Sequence, residues 1–323
     1  MTIPPAVVSL SRQLWRCQWR ALMNGLAPAD DRGSFRRRPS CFRETLLGSG
    51  HDQGVPRHVL IVGQSCPWAH RTWLVRQLKD LATVIDLAVV QPNPATGRWV
   101  FREPFEGVQQ LWQLYRDSGA GPGARATVPV LWDRYEGRII NNESADIIGQ
   151  LDKLPPGPNA VTTTLRPSEL IPSIQTWSEW LQSDVNDGVY RCGFARTQEA
   201  YQRALDDVFA GLDAVEQALA DGRPWICGEL LTMVDVRLFP TMARWEAAYQ
   251  DLFGCGLRPL WSFPFLWSWR RRFYQLPNVA ATCPSETWRQ DYFGSLFPLN
   301  PSGIVPQAPS LASLLDWNPP NSR

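Results

Sequence analysis

Cys66 stands where a chain can make a cysteine react. Val59-Leu60-Ile61-Val62 is an apolar, mostly β-branched run that reads as a strand, and a short turn, Gly63-Gln64-Ser65, follows it. Pro67 comes directly after the cysteine and a helical pattern begins at Trp68. Proline is favoured at the first helical position, where its missing N–H has no intrahelical partner. Cys66 is thus expected at the N-cap or first position of a helix, at the carboxyl end of a strand. Free amide N–H groups and the positive end of the helix dipole stabilise a thiolate there. The expected thiol has a depressed pKa and is nucleophilic at neutral pH. The second position of a C-x-x-C pair is Ala69, so the motif holds no resolving thiol. Such a site forms a mixed disulfide or a thioether and needs an outside thiol to release it. The plain alternative is a small buried hydrophobe, which is how the other six cysteines read.

Two further spots carry chemistry. Val128-Pro129 begins what should be a central strand, a place where proline fits through a cis bond. That bond leaves the Val128 N–H and C=O free for a peptide-like ligand. Glu143-Ser144 opens a helix, whose N–H groups and hydroxyl suit a carboxylate while the Glu143 side chain suits an ammonium. Together they describe a site for a zwitterionic peptide bearing a carboxylate, an amine and a thiol. Taken alone, Glu143 and Ser144 read as helix caps. His70 lies one helical turn from Cys66 and reads as an orderer of that helix rather than a partner of the thiol.

The elements that must hold these residues follow from pattern. The chain has 323 residues, enough for about two domains and a large core. Its net charge of +1 argues against a polyanion, and so against nucleic acid, as the main partner. Seven cysteines with no close pairing, and three histidines without zinc spacing, indicate a reducing compartment, the cytoplasm, and no metal. No run reaches membrane-spanning length. Sixteen tryptophans suit wide aromatic surfaces. Residues 1–57 read as an extension in which 7–26 form an amphipathic helix, with Arg12, Arg16 and Arg20 at four-residue spacing and no acid before Asp30. It fits a helix packed on the body or a partly disordered tail better than a transit-type sequence.

From 58 to 153 strand and helix alternate: a strand at 59–63, a helix at 68–80, a strand at 83–90, a helix at 105–116, a strand at 127–132, its hairpin partner at 137–141, and a helix from 142–144 to about 151. Parallel strands need helical crossovers, while a last pair can be a hairpin. The order β-α-β-α-β-β-α describes an α/β thioredoxin-like domain with Cys66 at its active-site position. Leu154-Pro155-Pro156-Gly157-Pro158 is a linker. An all-α domain, 168–282, follows, with helices at 169–186 (ending in Asn186-Asp187-Gly188), 198–220, one opening at Thr232, and 264–275. Asp235 can reach back to the Thr232 amide in a capping box, a structural role. Residues 283–323 form a C-terminal extension whose end, 298–323, is proline-rich and without periodicity.

A thioredoxin-like domain followed by a helical one is the arrangement of glutathione transferases. The motifs narrow this: Cys66-Pro67-Trp68-Ala69-His70-Arg71-Thr72, Thr127-Val128-Pro129-Val130-Leu131-Trp132-Asp133, Asn141-Asn142-Glu143-Ser144, Gly188-Val189-Tyr190 with Gly193-Phe194-Ala195, Asp235-Val236-Arg237-Leu238-Phe239, and Asn300-Pro301-Ser302-Gly303-Ile304-Val305-Pro306 occur in this order. The chain resembles the glutathionyl-hydroquinone reductases, the Xi class of glutathione transferases, from about Phe35 to Pro309.

The resemblance implies that Cys66 attacks the sulfur of a glutathionyl-hydroquinone, the hydroquinone leaves, and a second glutathione resolves the Cys66–glutathione disulfide. Trp99, Arg125, Val128, Glu143 and Ser144 would bind glutathione. Tyr190 and Tyr292 would serve the quinol, by hydrogen-bonding its oxygen or protonating its ring. It also implies a homodimer. The family tends to have two adjacent tyrosines near the C-terminus, where this chain has Tyr292-Phe293, and a histidine where it has Leu296. Cys192 stands in place of a small alanine, and the loop 91–105 is short. Competing readings are a thiol transferase acting on disulfides or dehydroascorbate through Cys66, and a non-catalytic binder of glutathione conjugates.

Overall fold

The computed structural model describes residues 3–46, 51–52 and 54–317; the parts of the expected extensions at 1–2, 47–50, 53 and 318–323 lie outside the described residues. Helix α1 (Pro5–Leu26) starts on a proline and is exposed over most of its length. Its last turns are anchored: Met23 is buried, the Trp19 indole donates to Pro298 O at 3.1 Å, and Arg196 donates to Ala27 O at 2.7 Å.

Strands β1 (His51–Asp52) and β2 (Val55–Pro56) form a small antiparallel pair before β3 (His58–Gly63). Helix α2 (Pro67–Leu78) and β4 (Ile85–Pro92) complete a β-α-β unit in which β3 and β4 are parallel. Then come β5 (Trp99–Phe105), β6 (Val108–Gln110), α3 (Leu111–Asp117), β7 (Val130–Asp133), β8 (Arg138–Asn141) and α4 (Ser144–Lys153). The main sheet runs β6-β5-β4-β3-β7-β8. Val59, Leu60, Ile61 and Val62 are wholly buried, because this central strand is covered on both faces. Truncating Leu60 or Ile61 to alanine would cost about 2–5 kcal/mol.

The sheet corrects one expectation. Residues 105–116 are not one helix; β5 and β6 precede a short α3. Glu106 and Gly107 both have positive φ, 48° and 75°, and join Phe105 to its partner Val108. Positive φ at both central residues is the geometry of a tight hairpin turn.

The helical half comprises α5 (Ile171–Leu181), α6 (Gly188–Gly193), α7 (Gln198–Leu219), α8 (Met233–Ala243), α9 (Pro264–Tyr274), α10 (Ser285–Ser295) and α11 (Leu311–Asp316). Wide π turns at Gln182–Asn186 and Trp245–Tyr249 extend α5 and α8. The expected stop at Asn186-Asp187-Gly188 is absent: the chain runs on through the π turn into α6. Gly188 serves close packing, since a Cβ there would stand 2.7 Å from Val208 Cγ2 on α7. Asp235 does close a capping box, accepting from Thr232 N at 2.9 Å, and also accepts from Ile226 N at 3.1 Å and the Trp269 indole at 2.8 Å. The C-terminal segment is not wholly irregular, because Ser310 caps α11 and Leu311 and Leu315 are buried. Trp245, Trp267, Trp269 and Trp288 are fully buried, so much of the aromatic content serves the core.

Candidate active site

Cys66 is the N-cap of α2 in extended conformation, with Pro67 at the first helical position. Its carbonyl accepts from His70 N at 3.0 Å. Its thiol donates to Val128 O at 3.4 Å, so β3, α2 and the approach to β7 meet at the sulfur. The Val128–Pro129 bond is cis, as the sequence indicates. Without ligand, burial pushes the Cys66 thiol up; the Ala69 and Trp68 amides and the charges of Arg244 and Arg37 pull the other way. This corrects the expected depressed value. The helix end acts as anticipated, but the helical half covers the sulfur and withdraws water from it.

That cover is phenolic. Tyr190 on α6, Tyr292 on α10 and Tyr249 at the end of a π turn converge. The Tyr190 and Tyr292 hydroxyls are 2.6 Å apart, Tyr249 lies 3.1 Å from Tyr292, and Tyr190 and Tyr249 are 3.4 Å apart. Burial raises all three phenols, and a charge on Cys66 would raise Tyr190 and Tyr249 further. They therefore keep their protons at neutral pH. Tyr292, not the neighbouring Phe293, presents the hydroxyl to this cluster; Phe293 is buried and Leu296 packs on the core. Tyr249 was not singled out by sequence. Four residues beyond Trp245 on an element no pattern announces, it carries no local signal.

Trp68 extends the wall. Its ring lies 5.9 Å from that of Tyr190, and the guanidiniums of Arg37 and Arg71 stand 4.2 and 4.6 Å from its centroid. Arg37 comes from the segment before the sheet. Cys192 is buried, with its thiol beside Cys255. His70 is buried and engaged away from the sulfur: Nε2 lies 2.8 Å from Thr282 Oγ1 and Nδ1 lies 2.9 Å from Arg244.

The residues assigned to glutathione fall into two groups. Trp99 and Val128 lie together against Gly63, beside the sulfur. Glu143 is the N-cap of α4, accepting from Ala145 N at 3.2 Å and from Ser40 Oγ at 2.8 Å, and Ser144 is wholly buried at the first helical position. Glu143 therefore also does the capping work that its position suggests, while the Ser144 hydroxyl turns back to the Glu143 carboxylate at 3.5 Å. Arg125 stands apart from these, donating to Leu26 O at 2.8 Å at the end of α1. Among the described residues no group of His, Cys, Asp and Glu could hold a metal ion, and no helix is long and apolar enough to cross a membrane.

This geometry has relatives. The family model of the glutathione S-transferase N-terminal domain matches residues 65–154, and that of the C-terminal domain matches 198–292. The chain is 36% identical to glutathionyl-hydroquinone reductase PcpF of Sphingobium chlorophenolicum over 86% of its length and 90% of that protein. It is 34% identical to glutathionyl-hydroquinone reductase YqjG of Escherichia coli K12, over 90% of its length and 92% of that protein. Its fold is similar to the Xi glutathione S-transferase of Phanerochaete chrysosporium (TM-score 0.80, 35% identity, 87% of this chain and 94% of that one). It is likewise similar to glutathione-bound YqjG (TM-score 0.75, 34% identity, 84% of this chain and 94% of that one). The chain is a glutathione-dependent enzyme and belongs to the Xi class of the glutathione S-transferase family, the class of the glutathionyl-hydroquinone reductases.

Proposed function

We propose that this enzyme reduces glutathionyl-hydroquinones to hydroquinones, with Cys66 as nucleophile. The observation that carries the reading is a single thiol, with no second cysteine in its motif, under a roof of three protonated phenols. The Cys66 thiolate attacks the glutathionyl sulfur of the conjugate. The carbon–sulfur bond breaks, and the ring carbon keeps the electron pair and gains a proton. Tyr190 and Tyr292 face that ring, and either hydroxyl supplies the proton or holds the quinol oxygen. The products are the hydroquinone and a Cys66–glutathione disulfide. A second glutathione thiolate attacks the glutathione sulfur of that disulfide, releasing glutathione disulfide and the Cys66 thiolate. The second glutathione's proton replaces the one given to the ring, so the cycle balances.

Trp99, Arg125, Val128, Glu143 and Ser144 are the residues assigned to glutathione. The Val128 backbone pairs with the cysteinyl part of the tripeptide. The α4 N-terminus, with Ser144, takes a carboxylate, and Glu143 takes the ammonium. Arg125 pairs with the remaining carboxylate. A homodimer in the cytoplasm, with 58–153 and 168–282 as its domains, completes the reading.

The test is turnover of a glutathionyl-hydroquinone with excess glutathione by the wild type and by Cys66→Ala. Hydroquinone from the wild type alone supports both the reaction and the nucleophile. A folded, glutathione-binding wild type that leaves the conjugate intact but reduces a small disulfide or dehydroascorbate would replace this reading with thiol transfer.

A further inference from the structure

Arg244 ends α8 and is wholly buried. Its guanidinium crosses from the helical half into the turn before Cys66. Nε donates to Ser65 O at 2.9 Å and Nη2 donates to Gln64 O at 2.8 Å. Nη1 donates to Pro240 O at 3.0 Å, within α8, and to His70 Nδ1 at 2.9 Å. Below lies the Trp288 ring, 4.0 Å from the guanidinium carbon. An arginine has only donors, so His70 must accept at Nδ1 and carry its proton at Nε2. That proton points to Thr282 Oγ1, whose own hydroxyl donates to Val279 O at 2.7 Å. The network is therefore fixed in one sense, with a neutral imidazole.

Every partner of this cation is neutral. Among the described residues no carboxylate lies within 4.0 Å of it. The nearest acid on its own segment, Glu246, is taken by Arg270 at 2.6 Å. A buried charge needs a counter-charge or dense hydrogen bonding. Carbonyl oxygens and an aromatic face supply the second here, and the group next along the turn is Cys66.

We propose that Arg244 is the positioning residue of Cys66: it holds the Gln64–Ser65 turn by both carbonyls and supplies the buried positive charge against which the thiolate forms. The inference rests on Cys66 being the nucleophile. The other groups that face the sulfur are the Trp68 and Ala69 amides of α2, Arg37 from the segment before the sheet, the Tyr190 and Tyr249 hydroxyls, and the neutral His70 one turn along. Asp291 on α10 reaches Ser65 in the same turn. None of the others binds the turn carbonyls.

The experiment is alkylation of Cys66 by iodoacetamide across pH, followed on the Cys66 peptide by mass spectrometry because Cys17 and Cys41 are exposed and also react. Arg244→Gln and Arg244→Lys are compared with wild type, with a thermal melt of each. The glutamine variant should move the midpoint up by about one pH unit, a roughly tenfold slower alkylation at a fixed pH below it. The lysine variant keeps the charge but loses the planar fork; its midpoint should stay within about a third of a unit, a small fraction of the shift one nearby charge produces. A folded glutamine variant with the wild-type midpoint overturns the proposal. So does a lysine variant that shifts as far as the glutamine one. If the glutamine variant does not fold, Arg244→Met, which also removes the charge, takes its place: a midpoint about one unit higher supports the proposal and a wild-type midpoint refutes it. Alkylation needs no quinol, so a failure of the reductase reading leaves this result readable.

Discussion

Gly63 closes β3 with the Trp99 ring lying over it. A Cβ at this position would stand 2.6 Å from two atoms of the indole, Cη2 and Cζ3, and 3.0 Å from Val128 Cγ2. Contacts that short cannot persist, so Gly63→Ala must displace something. The strand cannot easily yield, because β3 is paired with β4 through Gly63 and with β7 through Ile61. Trp99 is half-buried at the first position of β5, next to a loop, and can swing away. Overpacking costs about 1–3 kcal/mol when the neighbours are fixed; with a mobile neighbour the expected cost is about 1 kcal/mol, a fall in Tm of a few degrees. The effect on ligand should be larger. If Trp99 covers glutathione, its displacement should weaken binding about tenfold, or about 1.4 kcal/mol. Titration calorimetry with glutathione on wild type, Gly63→Ala, Trp99→Ala and the double variant tests this. Trp99→Ala empties the space a Cβ would enter, so the double variant should bind like Trp99→Ala alone, with a coupling equal to the whole Gly63→Ala loss, about 1.4 kcal/mol. Additive losses, or a Gly63→Ala protein with wild-type affinity, would refute the view that this glycine exists to seat the indole.

Tyr292→Phe removes the hydroxyl that lies 2.6 Å from Tyr190 and 3.1 Å from Tyr249, and should lower kcat on a glutathionyl-hydroquinone by about 10²-fold while sparing glutathione binding; Phe293→Tyr should not raise it, and steady-state kinetics of the two separate the residues. Stability should fall on mild acidification. Burial first, then the Arg244 charge, holds His70 well below the ordinary imidazole value, and burial lowers His58 too. The unfolded chain binds protons that the folded one refuses, so stability is full above about pH 6.5 and is lost below it at about 1.4 kcal/mol per pH unit for each such histidine. Urea denaturation at pH 7.5 and 5.5 should differ by about 1–3 kcal/mol; equal stabilities would mean that His70 takes a proton in place.

The legible parts of this molecule are those governed by neighbours in sequence. Pro67 after an apolar run places Cys66 at a helix start, and Val128-Pro129 at the head of a strand announces its cis bond. Thr232 and Asp235 declare a capping box three residues apart. The hairpin at 99–110 was legible in principle, through Glu106-Gly107, but the apolar spacing of Leu111, Leu114 and Tyr115 extends a helical pattern backward over it. Gly188 reads as a stop because a glycine's usual meaning at a helix end is local; its meaning here is the approach of α7, which no window of sequence contains. Tyr249 and Arg244 escaped for the same reason, since each matters only where the helical half meets the turn at residues 64–66.

The thiol shows how local and distant terms combine. The helix start favours the thiolate, as the sequence rule says, yet the phenols and tryptophans that roof the site remove the water that would solvate it. The resting site therefore holds protons on the sulfur and on all three hydroxyls. The proposed reaction needs one of these groups as an anion and another as a proton donor. The thiol is the one with helix amide N–H groups beside it; the Arg244 charge favours the anions of Cys66, Tyr249 and Tyr292 alike, while Tyr249 raises Tyr190 and Tyr292. Burial handicaps every anion in the cluster; at Cys66 the α2 amides and Arg37 add to the Arg244 charge that Tyr249 and Tyr292 also feel. The nucleophile comes from the sheet half and the acids, with Arg244, from the helical half, so the division of labour follows the seam between them.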